Sequence, residues 1–446
     1  MALSGKHDLA TVEDWVEYIQ TLHVREIDMN LDRTREVYRR MLPQGLDAVV
    51  IAVAGTNGKG STAELLSACY RAAGYQVGKY TSPHLLRYNE RIQLNGNDVS
   101  DADLLAAFKL VENARETTTL TYFEFGTLVA ISLMDQFKVD VAVMEVGLGG
   151  RLDAVNVLEN DLAIITSISI DHASWLGDSV EAIAYEKAGI VRSNKPVVLG
   201  ALPALKALTQ ACLERGGLVH QLGQEFLTDF KPNQPTWRWS SLNKNLVLHA
   251  LPFGQSDVQL NNAACAIQAL HLLAADLPIT EESINLGLKT AKINGRTQIV
   301  SSNPLIILDV AHNEDSVRAL ARYVEQQAPQ ARVRAVCGML KDKEIQTSLM
   351  QIAPLVTDWY IASISGERGS SAAAISTIVN DLYSAPKLSS KHKASTTVCE
   401  FENVVNAFTS AQESAEKGDC IVVFGSFLIV ADILALFEQA QKLARS

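Results

Sequence analysis

The run VVIAVAGTNGKGSTAELL, Val49 to Leu66, restricts the possible folds more than any other part of the chain. Its apolar start, Val49–Ala54, reads as a buried strand. Gly55-Thr56-Asn57-Gly58-Lys59-Gly60-Ser61 then makes a glycine-rich loop, and Thr62 onward reads as a helix. A loop at such a junction turns several backbone N–H groups toward one point, backed by the positive end of the helix dipole. Lys59 adds a mobile cation, and the Ser61 hydroxyl is placed to face a magnesium ion. The implied ligand is a nucleoside triphosphate. The spacing departs from the usual phosphate loop: Val53 stands at the first glycine position, and Gly60 separates Lys59 from Ser61. A tight turn would account for the glycines but not for the lysine and the hydroxyl.

With 446 residues the chain exceeds the roughly 250–300 at which a single core stops growing, so two domains are expected. A net charge of −11 argues against a nucleic-acid surface. The start, MALSGKHDLATVEDW, lacks the basic-then-apolar order of a secretory leader. No apolar run reaches the roughly 18 residues of a membrane span. Cys69, Cys212, Cys265, Cys337, Cys399 and Cys420 are scattered with no C-x-x-C pair, as in a reduced cytoplasmic protein without a zinc site. A monomer is expected.

From Asp47 to about Leu199, strand-like runs (Val49–Ala54, Val139–Val146, Leu162–Ile170, Pro196–Leu199) alternate with helical patterns such as Asp101–Ala114 and Phe123–Phe137. That alternation implies a parallel sheet covered on both faces, with ligands beyond the carboxyl ends of its strands. Leu199 to about Gln259, with its prolines and Trp237 and Trp239, reads as an irregular or antiparallel insertion. Helix returns at Ala263–Ala274, and Thr280 is a plausible N-cap for another. A second alternating series begins near Arg296, with strands at Leu305–Val310, Val333–Cys337, Trp359–Ile364 and Ile421–Phe424. The expected fold is α/β: an N-terminal phosphate-loop parallel-sheet ATPase domain over 1–294 and a smaller C-terminal Rossmann-like α/β domain over 295–446.

Several polar groups fall at strand ends. Glu145, closing VAVME, suits the acidic position of a phosphate-loop site, and His172 follows ITSISID. Thr81-Ser82-Pro83-His84-Leu85 presents the Ser82 hydroxyl on a turn extended by Pro83. Gly147-Leu148-Gly149-Gly150-Arg151-Leu152-Asp153 delivers an arginine and an aspartate. Lys187 lies among apolar neighbours in EAIAYEKAGIVR; it either snorkels to water or is desolvated. A desolvated lysine has a lowered pKa and can take up carbon dioxide as a carbamate. In the second domain, LDVAHN places Asp309, His312 and Asn313 before a helix. Arg296 stands just past the domain boundary, where an arginine can steady transferring phosphate charge across a cleft.

The ordered motifs TNGKGS (Thr56–Ser61), TSPHL (Thr81–Leu85), EVGLGGRLDA (Glu145–Ala154), SISIDH (Ser167–His172), EKAGI (Glu186–Ile190), GR-Q (Gly295–Gln298) and DVAHN (Asp309–Asn313) resemble the folylpolyglutamate synthase/dihydrofolate synthase family, relatives of the muramyl-peptide (Mur) ligases. The resemblance spans nearly the whole chain, and the loop with glycine between lysine and serine is the form that family uses. It implies joining of a pteroate or folate carboxylate to the amine of L-glutamate, with MgATP and an acyl-phosphate intermediate. It further implies that Thr56, Asn57, Gly58, Lys59, Gly60 and Ser61 hold ATP phosphates, with Asn262, Arg296 and Asp309 on the nucleotide. Ser61, Ser82, Glu145 and His172 would surround two magnesium ions. Lys187 would be carbamylated, and His312 would be a further catalytic candidate beside Lys59, His172 and Asp309.

The resemblance also assigns substrate. The TYFE segment, Thr121, Tyr122, Phe123 and Glu124, with Arg151, Leu152 and Asp153, would bind dihydropteroate. Met29, Asn30 and Leu31 lie in a D-x-G-L-x-R pattern whose glycine is here Asn30; asparagine tolerates positive φ, so the same turn is expected. The TYFE segment favours a bifunctional enzyme acting on dihydropteroate and tetrahydrofolate over a monofunctional folylpolyglutamate synthase. A Mur ligase would carry GK[ST] and a separate N-terminal domain. A phosphate-loop switch ATPase would need no DVAHN domain.

Overall fold

The computed structural model describes residues 9–171, 173–231, 234, 236–249, 257–384 and 396–445. It divides into two compact units, Met1–Pro252 with Leu260–Ala291, and Phe253–Gln259 with Lys292–Ser446.

In the first unit the strands are β1 (Val49–Ala54), β2 (Val77–Tyr80), β3 (Ile92–Leu94), β4 (Asn97–Asp98), β5 (Val141–Glu145), β6 (Leu162–Ile165), β7 (Pro196–Leu199) and β8 (Leu218–Gln221). Among the described residues they form one sheet in the order β4-β3-β2-β5-β1-β6-β7-β8. All pairs are parallel except the antiparallel β2–β3 and β3–β4. β1 is apolar throughout and buried beyond its first residue, as befits a strand covered on both faces. Val53 lies opposite Glu145 of β5 on one side and Ile164 of β6 on the other. The chain runs from β1 outward to β2 on one flank and returns to β6 on the other. The strand order reverses at β1, and the loop that leaves it sits where such sheets bind ligands.

Three local differences from the sequence reading have physical causes. The helix after the phosphate loop spans Lys59–Ala72, so Lys59, Gly60 and Ser61 form its first turn. β6 ends at Ile165, although the alternation of ITSISI continues to residue 170. The backbone there bonds to the phosphate loop instead of to a strand, with Thr56 N donating to Ser167 O at 2.7 Å. The stretch after Leu199 first extends the main sheet through the helix Lys206–Glu214 and β8. It then forms the antiparallel sheet anticipated: β9 (Phe226–Asp229), β10 (Thr236–Ser241) and β11 (Lys244–His249), with Trp237 and Trp239 buried beneath.

The second unit contains β12 (Gln298–Ser302), β13 (Leu305–Asp309), β14 (Val333–Cys337), β15 (Val356–Ala362), β16 (Thr397–Phe401) and β17 (Cys420–Phe424), in the order β12-β13-β17-β14-β15-β16. Only β12 is antiparallel to its neighbour. The two edge strands escaped the sequence reading because they are short, polar and half-exposed. Among the described residues no helix is long and apolar enough to cross a membrane.

Candidate active site

The phosphate loop needs its glycines. Gly58 has φ +90°, a left-handed conformation that side chains disfavour, and a Cβ there would come 2.9 Å from Asn262 Nδ2. Asn262, on the helix Asp257–Leu272, therefore lies directly against the loop. The loop is also stitched to the segment after β6. Asn57 N donates to Ser167 Oγ at 3.1 Å, Thr166 Oγ1 donates to Asn57 O at 2.7 Å, and Thr56 Oγ1 donates to Ser169 O at 3.1 Å. The amides of Thr56 and Asn57 are thus engaged within the chain. A helix leaves its first N–H groups without intrahelical acceptors, and the amides of Gly60 and Ser61 lie at that end of Lys59–Ala72, a place suited to an anion.

Two lysines converge on this loop. Lys59 Nζ donates to Gly55 O at 3.1 Å and to Thr56 O at 3.3 Å. Lys187, in the last turn of the helix Val180–Lys187, donates from Nζ to Gly55 O at 2.9 Å. Lys187 is only 5% exposed, which excludes the snorkelling alternative. Burial, reinforced by the charge on Lys59, brings its pKa down to about 7, against some relief from Asp171 and Asp153.

On the acidic side, Glu145 ends β5 and is buried. Its Oε2 accepts from Ser82 N at 3.0 Å and lies 3.5 Å from where a Cβ on Gly60 would be. That carboxylate therefore overlooks the first turn of the phosphate-loop helix, which also carries the nearly buried Ser61. Among the described residues no three His, Cys, Asp or Glu side chains group as a metal site. Magnesium does not require one, since it keeps waters and takes one or two carboxylates beside phosphate oxygens. Glu145 with Ser61 and Ser82 fits that donor set. His172 lies outside the described residues.

The GLGGR loop and the lysine helix pack backbone to backbone. A Cβ on Gly150 would meet the carbonyl of Lys187 at 3.0 Å, and one on Gly189 would meet the amide nitrogen of Arg151 at 2.8 Å. Arg151, exposed, pairs with Glu186 at 2.9 Å, and Leu152 beside it is half-buried. Asp153 is buried and accepts from Gly147 N, Leu148 N and Val155 N at 2.9–3.0 Å. Burial still pushes its carboxyl up to about 6.

Phe123 packs on Gly147, and Met29 reaches the same loop at Gly149. Thr121 caps the helix Tyr122–Gln136 in a reciprocal box with Glu124. The other oxygen of Glu124 accepts from Arg33 Nη2 at 3.0 Å and Thr34 Oγ1 at 3.1 Å, while Arg33 Nη1 holds Asp28 at 2.7 Å. The Asp28–Arg33 segment and TYFE are thus one construction, with Leu31 buried against it. Asn30 corrects an expectation: it is not at positive φ. Its carboxamide oxygen instead accepts from Asp32 N at 2.7 Å, and that local bond makes the turn. Neither Arg91, which nothing marks in the sequence, nor His84, which lies in the TSPHL motif, is assigned a role there. Arg91 is buried beside Tyr122, and its Nε donates to His84 Nδ1 at 2.8 Å. Burial and that guanidinium hold His84 down to about 4.

In the second unit, Asp309 ends β13 and is buried, accepting from Thr297 N at 2.7 Å and Ala311 N at 2.8 Å. Burial raises its pKa, opposed by Arg296. The guanidinium of Arg296 stands 5.5 Å from the Phe427 ring centroid, and the His312 ring stands 6.2 Å away on the same phenyl. His312 Nδ1 lies 2.8 Å from Val310 O, and Asn313 caps the helix Glu314–Gln327.

A glycine–lysine loop at the reversal point of a parallel sheet, followed by a second α/β unit, defines an ATP-dependent ligase of the Mur type. Family models agree: the Mur ligase middle domain matches residues 53–204, and the Mur ligase glutamate ligase domain matches residues 295–427. The chain is 37% identical to the dihydrofolate synthase/folylpolyglutamate synthase of Escherichia coli K12 over 424 residues, 95% of each protein. It superposes on E. coli FolC in complex with DHPP and ADP with TM-score 0.89 at 36% identity, covering 97% of this chain and 99% of that one. A bifunctional folylpolyglutamate synthase/dihydrofolate synthase with Mn, AMPPNP and L-glutamate bound matches at TM-score 0.84 and 38% identity, covering 96% and 98%. The chain belongs to the dihydrofolate synthase/folylpolyglutamate synthase family.

Proposed function

We propose that this chain is a bifunctional ligase that uses ATP to join L-glutamate to dihydropteroate, giving dihydrofolate, and to tetrahydrofolate, giving folylpolyglutamates. The observation that carries this reading is the phosphate loop with its two lysines and facing glutamate, in a chain matched over nearly its full length to bifunctional relatives. A carboxylate is a poor electrophile toward an amine. Transfer of the γ-phosphoryl to it makes an acyl phosphate, glutamate's amine attacks the carbonyl, and phosphate leaves. Little of this is covalent work for the protein, which contributes positioning and charge neutralisation.

We assign the ATP phosphates to residues 56–61, with Lys59 as the cation, the nucleotide to Asn262, Arg296 and Asp309, and a further catalytic role to His312. Ser61, Ser82, Glu145 and His172 are assigned to two magnesium ions. Bound there, magnesium would neutralise charge developing on the transferred phosphoryl. Asp153, Arg151, Leu152, residues 121–124 and residues 29–31 are assigned to the pteroate. Since Thr121 and Glu124 are committed to the helix cap, this segment offers the rings of Tyr122 and Phe123 more than a free carboxylate. The buried, readily deprotonated amine of Lys187 supports its carbamylation. We place the boundary of the two domains at 294/295. A monomer in the cytoplasm suits six unpaired cysteines, five of them buried.

The test is to supply purified protein with MgATP, labelled glutamate, and either dihydropteroate or tetrahydrofolate, separating products by length. Products from both substrates are expected. Product from tetrahydrofolate alone would make the enzyme monofunctional, and ATP hydrolysis needing neither pteroate nor glutamate would overturn the ligase reading.

A further inference from the structure

We propose that Arg91 is a positioning residue of the pteroate site, setting the ring of Tyr122 from beneath and tying it to the loop Thr81–Leu85. The inference rests on the assignment of residues 121–124 to the pteroate.

Arg91 is 8% exposed, and among the described residues no carboxylate forms an ion pair with it. Its charge is met by aromatic faces instead. The guanidinium carbon stands 5.1 Å from the Tyr122 ring centroid and 5.4 Å from that of Tyr88. Those two rings meet edge to face at 5.8 Å and 85°. Burying a cation without a counter-ion is expensive, and a site that needed only bulk would be better served by an apolar side chain. What a buried guanidinium adds is direction: it lies flat against ring faces and donates in its own plane.

The plane of Arg91 is set by the loop. Nε donates to His84 Nδ1 at 2.8 Å, so His84 must be neutral with its proton on Nε2. The carbonyl of Arg91 also accepts from Thr81 N at 2.9 Å. Main chain and side chain of one residue thus hold both ends of TSPHL, the loop whose Ser82 N reaches Glu145. On its far side Arg91 supports Tyr122, whose neighbour Phe123 lies on Gly147 and stands 5.9 Å from Tyr80. A flat heteroaromatic ring is recognised by aromatic walls held at a fixed angle, and Arg91 holds one of them.

The experiment measures steady-state kinetics of full-length wild type, Arg91→Met, Arg91→Lys, Tyr122→Leu and the Arg91→Met/Tyr122→Leu double variant, with melting curves for each. Arg91→Met is expected to raise KM for dihydropteroate about tenfold, the loss of a desolvated cation–π contact, while KM for ATP moves less than twofold. Arg91→Lys keeps a cation over both rings and should recover part of that loss. The double variant should be no worse than Tyr122→Leu alone, because Arg91 acts through that ring. If Arg91→Met lowers kcat and melting temperature but leaves KM for dihydropteroate unchanged, Arg91 is only structural and the proposal fails. If Tyr122→Leu itself leaves that KM unchanged, the assignment of the pteroate site fails, which is a separate outcome. Should Arg91→Met not fold, His84→Leu removes the acceptor and must raise the same KM; an unchanged value overturns the proposal.

Discussion

Lys59 and Lys187 aim their ammonium groups at a single acceptor, the carbonyl oxygen of Gly55, at 3.1 and 2.9 Å. Two cations sharing one neutral oxygen in a buried place repel each other. Burial first, and this repulsion second, bring the pKa of Lys187 down to about 7. A neutral amine can attack the carbon of carbon dioxide and release one proton, leaving a carbamate. The repulsion would then become an attraction, with Lys59 as counter-ion.

Lys187→Ala should therefore be inactive in glutamate ligation. Formate, acetate or propionate should restore part of its activity by supplying the missing anionic oxygens. Absence of rescue across that series, together with clear electron density for an unmodified lysine in the wild type, would rule out the carbamate.

Stability should report the same perturbed group. The folded pKa of Lys187 is about 7, below the ordinary lysine value of 10.5. Between those values the unfolded chain holds a proton that the folded chain has lost, so this residue makes stability rise with pH across that window. Below pH 7 both states are protonated and the full penalty of a buried cation is present. Lys187→Met, which removes the charge, should melt higher than wild type at pH 6.5, with the gap shrinking toward pH 9.5. A gap independent of pH would refute the shift.

Lys59→Ala should lower kcat by about 10³-fold, the scale of losing a charged donor to a developing anion. Its melting temperature should stay close to that of wild type, because the loop retains its bonds to residues 166–169. Turnover near the wild-type value would show that residues 56–61 do not hold the phosphates.

Glu145→Gln keeps an oxygen for Ser82 N but removes the negative charge facing the phosphate-loop helix. The magnesium concentration for half-maximal activity should rise by about 10–100-fold. A magnesium titration indistinguishable from wild type would remove Glu145 from the metal site.

The main elements of both sheets and the order of the loops could be read from residue types alone. Val49–Ala54 is too apolar for anything but a central strand, and the lysine with its flanking glycines needs a phosphate. Three kinds of feature resisted. Residues 166–170 alternate like a strand, yet their partners lie in the phosphate loop, a long-range contact that no local pattern encodes. Gln298–Ser302 and Thr397–Phe401 pair at sheet edges where half-exposure erases the apolar signature. Arg91 resembles any surface arginine in sequence, and only the folded rings of Tyr88 and Tyr122 reveal it as buried.

The close packing of Gly150 on the Glu186–Lys187 backbone, and of Gly189 on Arg151, has an evolutionary corollary. One carbon added at either glycine would claim space held by the backbone of the opposite segment, so neither position can drift by itself. A lineage that replaced one would have to remodel the neighbouring turn in the same step. The surroundings of Lys187 should accordingly be among the slowest parts of this fold to diversify, whichever folate its members come to prefer.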